Sequence, residues 1–378
     1  MKRLAGIVLG IALLTVLAAL LFVAFPSGPP PRTAAEPAAP RSLPKFDVHT
    51  HVHPAAMERA TALLTAHGIE RFVNLSGGPA GVSLGAQIEA ARRAGAPVVT
   101  FTSIDWRGVG GAGWLERELG RLRAAKAAGA RGVKISKALG LVVRDHQGRR
   151  VPIDDPRLDP LFETMAELGF VCTIHAGDPV AFFEPVTPEN ERYRELSLNP
   201  QWSFYGPEYP DWETVFEEYV RRVERHPSLI FIGAHFGNAP EDPARVGALL
   251  DRLPNLYVDT AARLGELGRD DRPERRRIVR RIFLEHPDRI LFGTDTMVLP
   301  DAIILGAPEE RPHTLADADR FFAAHWRFFE TADTHFAHPT PIQGEWTISG
   351  LDLPEAVLRK IYWENAVRLF GDGAKADP

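Results

Sequence analysis

From Lys45 onward, short apolar runs alternate with segments of helical spacing, and this alternation constrains the fold more than any other feature. The runs Phe46–His49, Arg71–Leu75, Pro97–Ser103, Gly132–Ile135, Phe170–Ile174, Leu229–Gly233, Leu256–Asp259 and Ile290–Gly293 are short, rich in Val, Ile and Phe, and bounded by turn residues. Those are the marks of buried strands. Between them lie helical patterns, among them Leu84–Ala94, Trp114–Ala128, Trp212–His226 and Pro243–Leu253. After the last run come Asp317–Thr331 and Pro354–Phe370, each expected to form one helix. Parallel strands need such crossovers, and eight strand–helix units fit a (β/α)8 TIM barrel better than an open sheet. At 378 residues with 45% hydrophobic content, the chain can bury that core. The expected domain, with its C-terminal helices, is residues 45–378.

The N-terminus is built differently. Lys2 and Arg3 precede an uncharged apolar run from Leu4 to Phe25. At about 1.5 Å per helical residue, that run reaches across the ~30 Å hydrocarbon core of a bilayer. It is longer than the h-region of a cleaved signal peptide. Residues 1–25 are therefore expected to be a single membrane helix, with a cleaved signal and a secreted product as the alternative. Residues 26–44, rich in Pro and Ala, read as a tether. The basic flank keeps the short end in the cytoplasm and places the barrel on the extracytoplasmic side. A net charge of −5 and arginines scattered among acids argue against nucleic acid. The single cysteine, Cys172, lies in an apolar run and reads as a buried small hydrophobe. The sequence leaves a homo-oligomer open.

The chemistry sits at the strand ends. Residues 46–53 read Phe-Asp-Val-His-Thr-His-Val-His. Residues two apart on a strand share a face, so His49 and His51 project side by side as a pair of metal ligands. His175 follows Val-Cys-Thr-Ile, His235 follows Ile-Phe-Ile-Gly-Ala, and Asp295 follows Ile-Leu-Phe-Gly-Thr. In barrels, reactive groups gather at the C-terminal ends of strands. Imidazoles with one carboxylate suit a divalent ion, most readily Zn2+, with room for water. Such an ion lowers the pKa of bound water from about 15.7 toward about 7. Asp295 is expected to bind the ion and act as general base; His235 is expected to polarise the substrate carbonyl or donate a proton to the leaving group.

Other candidates surround this set. Lys134, in Arg131-Gly-Val-Lys-Ile-Ser-Lys, fits an ammonium for an anionic substrate or a buried paired lysine; Lys137 reads as a loop residue facing solvent or substrate. Arg263, just beyond Asp259, is a candidate carboxylate anchor, and Asp178 either orients a ligand or starts a turn. His53 falls past the strand, while His67, His226 and His286 sit near helix C-termini, where a cation complements the dipole. Residues 176–211 form a long segment carrying Phe182, Phe183, Trp202, Phe204, Tyr205 and Tyr209, read either as a lid over the barrel mouth or as packing.

The motifs Asp47-Val-His-Thr-His, Thr173-Ile-His-Ala, Ile232-Gly-Ala-His-Phe-Gly-Asn and Leu291-Phe-Gly-Thr-Asp resemble the amidohydrolase superfamily. More narrowly, they resemble the amidohydrolase-related branch that includes aminocarboxymuconate semialdehyde decarboxylase. The closing stretch from Leu353 to Phe370 is similar to that branch's C-terminal helix. The resemblance covers roughly residues 45–371 and implies a metal-dependent barrel, the extent following from motif order and barrel size. By it, His49, His51, His175 and Asp295 bind metal, and His235 is a catalytic or second-metal residue. Binuclear relatives bridge two ions through a carboxylated lysine at the fourth strand, whereas decarboxylase-like relatives use one ion, so Lys134 leaves one or two ions open. The expected activity is metal-dependent hydrolysis of a C–N or C–O bond (amide, ester or lactone) in a small, cyclic or aromatic molecule. The alternatives are a non-oxidative decarboxylase, a carbon–carbon lyase, on the same scaffold and a membrane-tethered, non-catalytic binding protein.

Overall fold

The computed structural model describes residues 41–177 and 179–371. Ten strands form one sheet: β1 Lys45–Val52, β2 Ile69–Asn74, β3 Val98–Ser103, β4 Gly132–Ile135, β5 Val171–Ile174, β6 Ile230–Gly233, β7 Leu256–Asp259, β8 Ile290–Leu291, β9 Thr296–Val298 and β10 Ile303–Leu305. The order is β10-β9-β1-β2-β3-β4-β5-β6-β7-β8, parallel throughout except for the antiparallel β9–β10 pair. The two margins meet around the break between β8 and β9. Val48 N donates to Phe292 O at 2.9 Å, and Asp295 N donates to His49 O at 2.8 Å. The result is an α/β TIM-barrel-like fold.

The helices form where the periodicity predicts them. Trp212–Arg225 is capped by Asp211, whose carboxylate accepts from Thr214 N at 2.7 Å. It buries Val215, Phe216, Tyr219, Val220 and Val223, a helical stripe against the sheet. Leu315–Glu330 opens on a Thr314/Asp317 capping box and buries Phe321, Phe322, Trp326, Phe328 and Phe329. Each such aromatic contributes about 1.5–3 kcal/mol when fully buried. A smaller cluster joins Phe46, Val48, Val73, Phe101, Ile232 and Leu291 to Phe370 near the C-terminus.

Two expectations need correction. The eighth strand stops at Leu291, not at Gly293. Phe292 N donates out of the sheet, to Ile361 O at 2.9 Å, and Asp295 takes a left-handed φ of 62°, so the chain turns before resuming as β9. The stretch 354–370 is not one regular helix either. It runs as Glu355–Arg359, a π-helical turn over Lys360–Glu364, and Asn365–Phe370. The same bond accounts for both: the wide turn leaves the Ile361 carbonyl to receive Phe292.

Among the described residues no helix is long and apolar enough to cross a membrane. The expected membrane segment, residues 1–25, and most of the tether lie outside the described residues.

Candidate metal centre

Asp47 ties β1 to the turn that carries Asp295. Its carboxylate accepts from His49 N at 2.9 Å, from Thr294 N at 3.2 Å and from the Thr294 hydroxyl. Complete burial pushes the Asp47 carboxyl up to about 7, against the pull of those hydrogen bonds. Gly293 permits the close approach next to it. A Cβ there would lie 3.1 Å from His49 Cβ and 3.5 Å from Asp259 Cβ, tighter than ordinary contact for the first.

His49 is buried, and its Nδ1 lies 2.8 Å from Asp259 Oδ2. An ionised carboxylate only accepts, so the His49 proton sits on Nδ1 and Nε2 presents a lone pair. That Nε2 is buried and has no hydrogen-bond partner among the described residues. It stands 3.7 Å from Asp295 Oδ1, and His51 Nε2 stands 3.5 Å from the same oxygen. These separations are too long for hydrogen bonds. Two atoms sharing an ion at about 2.1 Å in tetrahedral geometry lie about 3.4 Å apart. His49, His51 and Asp295 offer ligand atoms all within 4.8 Å of one another. The donor set, the orphaned nitrogen and the spacing all fit a divalent ion.

His51 Nδ1 meets Ser76 Oγ at 2.8 Å. Loss of hydration, with His49, Lys134 and His175 nearby, holds the His51 imidazole well below its ordinary range. His175 lines the same cavity, its ring centroid 4.4 Å from that of His235. His235 is buried in a left-handed conformation, φ 54°. Its backbone N donates to Asp259 Oδ1 at 2.8 Å, and its Nδ1 lies 2.9 Å from Ala261 O. Burial, then His175 and Arg263, keep this ring neutral. A carbonyl only accepts, so Nδ1 carries the proton and Nε2 is bare. With Nδ1 protonated, Nε2 is an acceptor at rest, and the ring takes up a proton before it gives one. Left-handed backbone at His235, Ala262 and Asp295 costs roughly 1–3 kcal/mol per residue, and this kind of strain concentrates at functional sites.

In the sequence, Asp259 stands out only as an acid closing a strand. In the structure it is completely buried and accepts from His49 Nδ1 and from the backbone of His235 and Ala261. Burial alone would raise its carboxyl, but His49 and those bonds hold it below the usual range.

A cavity of about 330 Å³ opens over this group. Lys134, Lys137, Arg263, Phe182, Trp202 and Glu195 line it beside the histidines. Lys137 faces three aromatic rings of the segment 176–211: its Nζ lies 4.7 Å from the Trp202 centroid, 5.5 Å from Phe182 and 5.7 Å from Phe204. Phe182 and Trp202 thus reach the cavity, while Phe204 is buried in the segment and Tyr205 is exposed. Fully buried Arg192 ties the segment down, pairing with Glu195 at 2.9 Å and with Glu266.

Of the remaining candidates, the described histidines and Cys172 have structural roles or are inert. His53 caps the short turn Pro54–Ala56, accepting from Ala55 N at 3.2 Å. His67, His226 and His286 follow helix ends as expected. His226 is no cation, however: burial and Arg222 lower it to about 4. Cys172 is buried, its thiol pushed up to about 12 by lost hydration. Asp178 lies outside the described residues.

A family model described as Amidohydrolase matches residues 46–371. The chain belongs to the amidohydrolase family, and the decarboxylase-like branch is consistent with that membership. Solved structures similar in fold include an uncharacterized TIM-barrel protein from Bordetella bronchiseptica, 17% identical, with a TM-score of 0.49, covering 86% of this chain and 97% of that one. Others are 4-oxalomesaconate hydratase from Rhodopseudomonas palustris (14% identity, TM-score 0.49, 86% and 95% covered) and a zinc-bound amidohydrolase from Burkholderia multivorans (13%, 0.45, 86% and 99%). No curated protein matches the chain.

Proposed function

We propose that this protein is a metal-dependent hydrolase that opens a C–N or C–O bond of a small organic molecule. The observation that carries this reading is the buried His49 Nε2, without a hydrogen-bond partner among the described residues and set at ligand spacing from the Asp295 oxygen that His51 also faces. His49, His51, His175 and Asp295 hold the ion, with Zn2+ favoured by nitrogen-rich donors. When bound, such an ion supplies Lewis acidity and acidifies water at the site.

The protein's own groups do the rest. Asp259 locks the His49 tautomer. Asp295 accepts the proton of the attacking water. That proton passes to His235 Nε2, an acceptor at rest, which delivers it to the leaving group and so restores both residues. Phe182 and Trp202 shield the cavity and favour a flat or cyclic substrate. Lys134 at the end of β4 marks where a second ion would be bridged if its amine were carboxylated. A second reading, decarboxylation, is favoured by the cationic lining of Lys134, Lys137 and Arg263. The apolar run Leu4–Phe25 supports an extracytoplasmic, membrane-held location, testable by fractionating cells expressing the full chain.

The deciding experiment is metal analysis of the purified chain coupled to a panel of lactones, esters, amides and aromatic carboxylates. Stoichiometric zinc with acid or amine release is expected. Carbon dioxide release without hydrolysis would move the assignment to the lyase, and absence of a bound divalent ion would end both.

A further inference from the structure

We infer that Asn74 and Gln87 are positioning residues for the metal centre. Their amides form a clamp that sets Ser76 and the end of β1, and thereby aims His51 Nε2 at the ion. This rests on His51 being a metal ligand, as proposed above.

The clamp fills a gap in the sheet. β2 ends at Asn74, which pairs with Thr50, while β1 runs on through His51 to Val52. Val52 is buried, and its main chain has run past the last β2 residue. Buried main-chain groups must still find partners. The Asn74 side chain supplies them: Oδ1 accepts from Val52 N at 3.0 Å, and Nδ2 donates to Val52 O at 3.1 Å. Gln87, on the helix Leu84–Ala94, donates from Nε2 to the same Val52 O at 2.8 Å.

The same two amides hold Ser76. Asn74 Oδ1 accepts from Ser76 N at 3.0 Å, and Gln87 Nε2 donates to Ser76 O at 3.1 Å. A bond from Asn74 Nδ2 to Gln87 Oε1 at 3.0 Å joins the pair. Every amide hydrogen of the two side chains is thus used and both oxygens accept, so neither amide can turn over without losing bonds. Both side chains are buried.

Two restraints therefore converge on His51. The residue after it is fixed by the clamp, and its Nδ1 meets the Ser76 hydroxyl at 2.8 Å. With Nε2 turned toward Asp295, Nδ1 carries the proton and donates to Ser76 Oγ. A partner held at its own main chain on both sides fixes the plane of the ring, as the outer partners of metal-binding histidines do. His49 is oriented by a carboxylate, Asp259, whereas His51 is oriented by an uncharged hydroxyl. The clamp contributes geometry, not charge.

The test uses the full chain with three measurements: Zn2+ affinity by chelator competition, the visible spectrum of the Co2+-loaded chain, and the urea midpoint of the metal-free chain. Ser76→Ala and Asn74→Leu are each expected to lower Zn2+ affinity about tenfold or more, and to shift the Co2+ bands as the ligand geometry loosens. Gln87→Met should do the same to a smaller degree, and Ser76→Thr, which keeps the hydroxyl, should restore both readings. A role confined to joining β1 and β2 would lower the urea midpoint and leave affinity and spectrum unchanged; that result would overturn the inference. If Asn74→Leu does not fold, Gln87→Met and Ser76→Ala decide the matter. Tight metal binding by the unaltered chain and by all these variants alike would reject the clamp and keep the metal centre. An unaltered chain that binds neither ion would reject both.

Discussion

The two sides of the cavity are held by different forces. On the β1–β8 side, Asp47, His49, Asp259, Thr294 and Asp295 are linked by hydrogen bonds, many to main-chain atoms. On the β4 side, Lys137, Phe182 and Trp202 are held by ring faces, and the segment carrying the rings is tied down by the Arg192 ion pairs. Directional bonds fix positions to tenths of an ångström, whereas packing and charge set shape and preference. The first side is suited to holding an ion, and the second to choosing what meets it.

Substitutions should separate the two. The largest effect is expected from Asp295→Ala: loss of bound metal and a fall in kcat/KM of about a thousandfold or more. Retained zinc and activity in that variant would break the contrast at its root. Arg192→Leu leaves Glu266 buried without its partner, and breaking a buried pair costs about 3–5 kcal/mol. Urea denaturation should show that loss, with metal stoichiometry unchanged. Asp259→Asn should lower metal affinity about 10–100-fold, as loss of an orienting partner does, measured by competition with a chelator. Trp202→Ala should raise KM about tenfold with little change in kcat or zinc, an effect on the order of 1.4 kcal/mol. An equal loss of metal in Trp202→Ala and Asp259→Asn would dissolve the distinction.

The smallest effect is a loss of stability that is absent at neutral pH and develops in acid. His325 is buried and held near 4, against 6.5 for an ordinary imidazole, chiefly by lost hydration. Only the unfolded chain takes up this proton between those values. Its contribution is therefore complete above about pH 6.5, declines as pH falls, and is gone below about pH 4. Thermal melts from pH 7.5 to 4.5 should show that decline, and His325→Phe should flatten it.

Much of this could be read from the sequence because strands and helices advertise themselves by period. Gly132–Ile135 and Leu256–Asp259 were bounded to the residue, since turn chemistry brackets both apolar runs. The β9–β10 hairpin was not seen, because three-residue strands carry too little alternation to stand out. The break at Phe292 and the π-turn at Lys360–Glu364 depend on one bond between residues far apart in sequence. The strand-end rule picked out His49, His51, His175, His235 and Asp295, and the structure gathers them at one cavity. Asn74 and Gln87 gave no local signal, as the Val52 main chain they both bind belongs to another strand. The tautomers of His49 and His235 followed only once their acceptors were known.

The break in the eighth strand has one more consequence. The bonds that join the sheet's margins come from the same few residues that present His49 and Asp295. Change tolerated elsewhere is forbidden here, because a substitution that reshaped this wall would also unfasten the sheet. New specificities in a scaffold of this kind must therefore arise from the opposite wall, where a ring or a lysine can be exchanged while the seam stays shut.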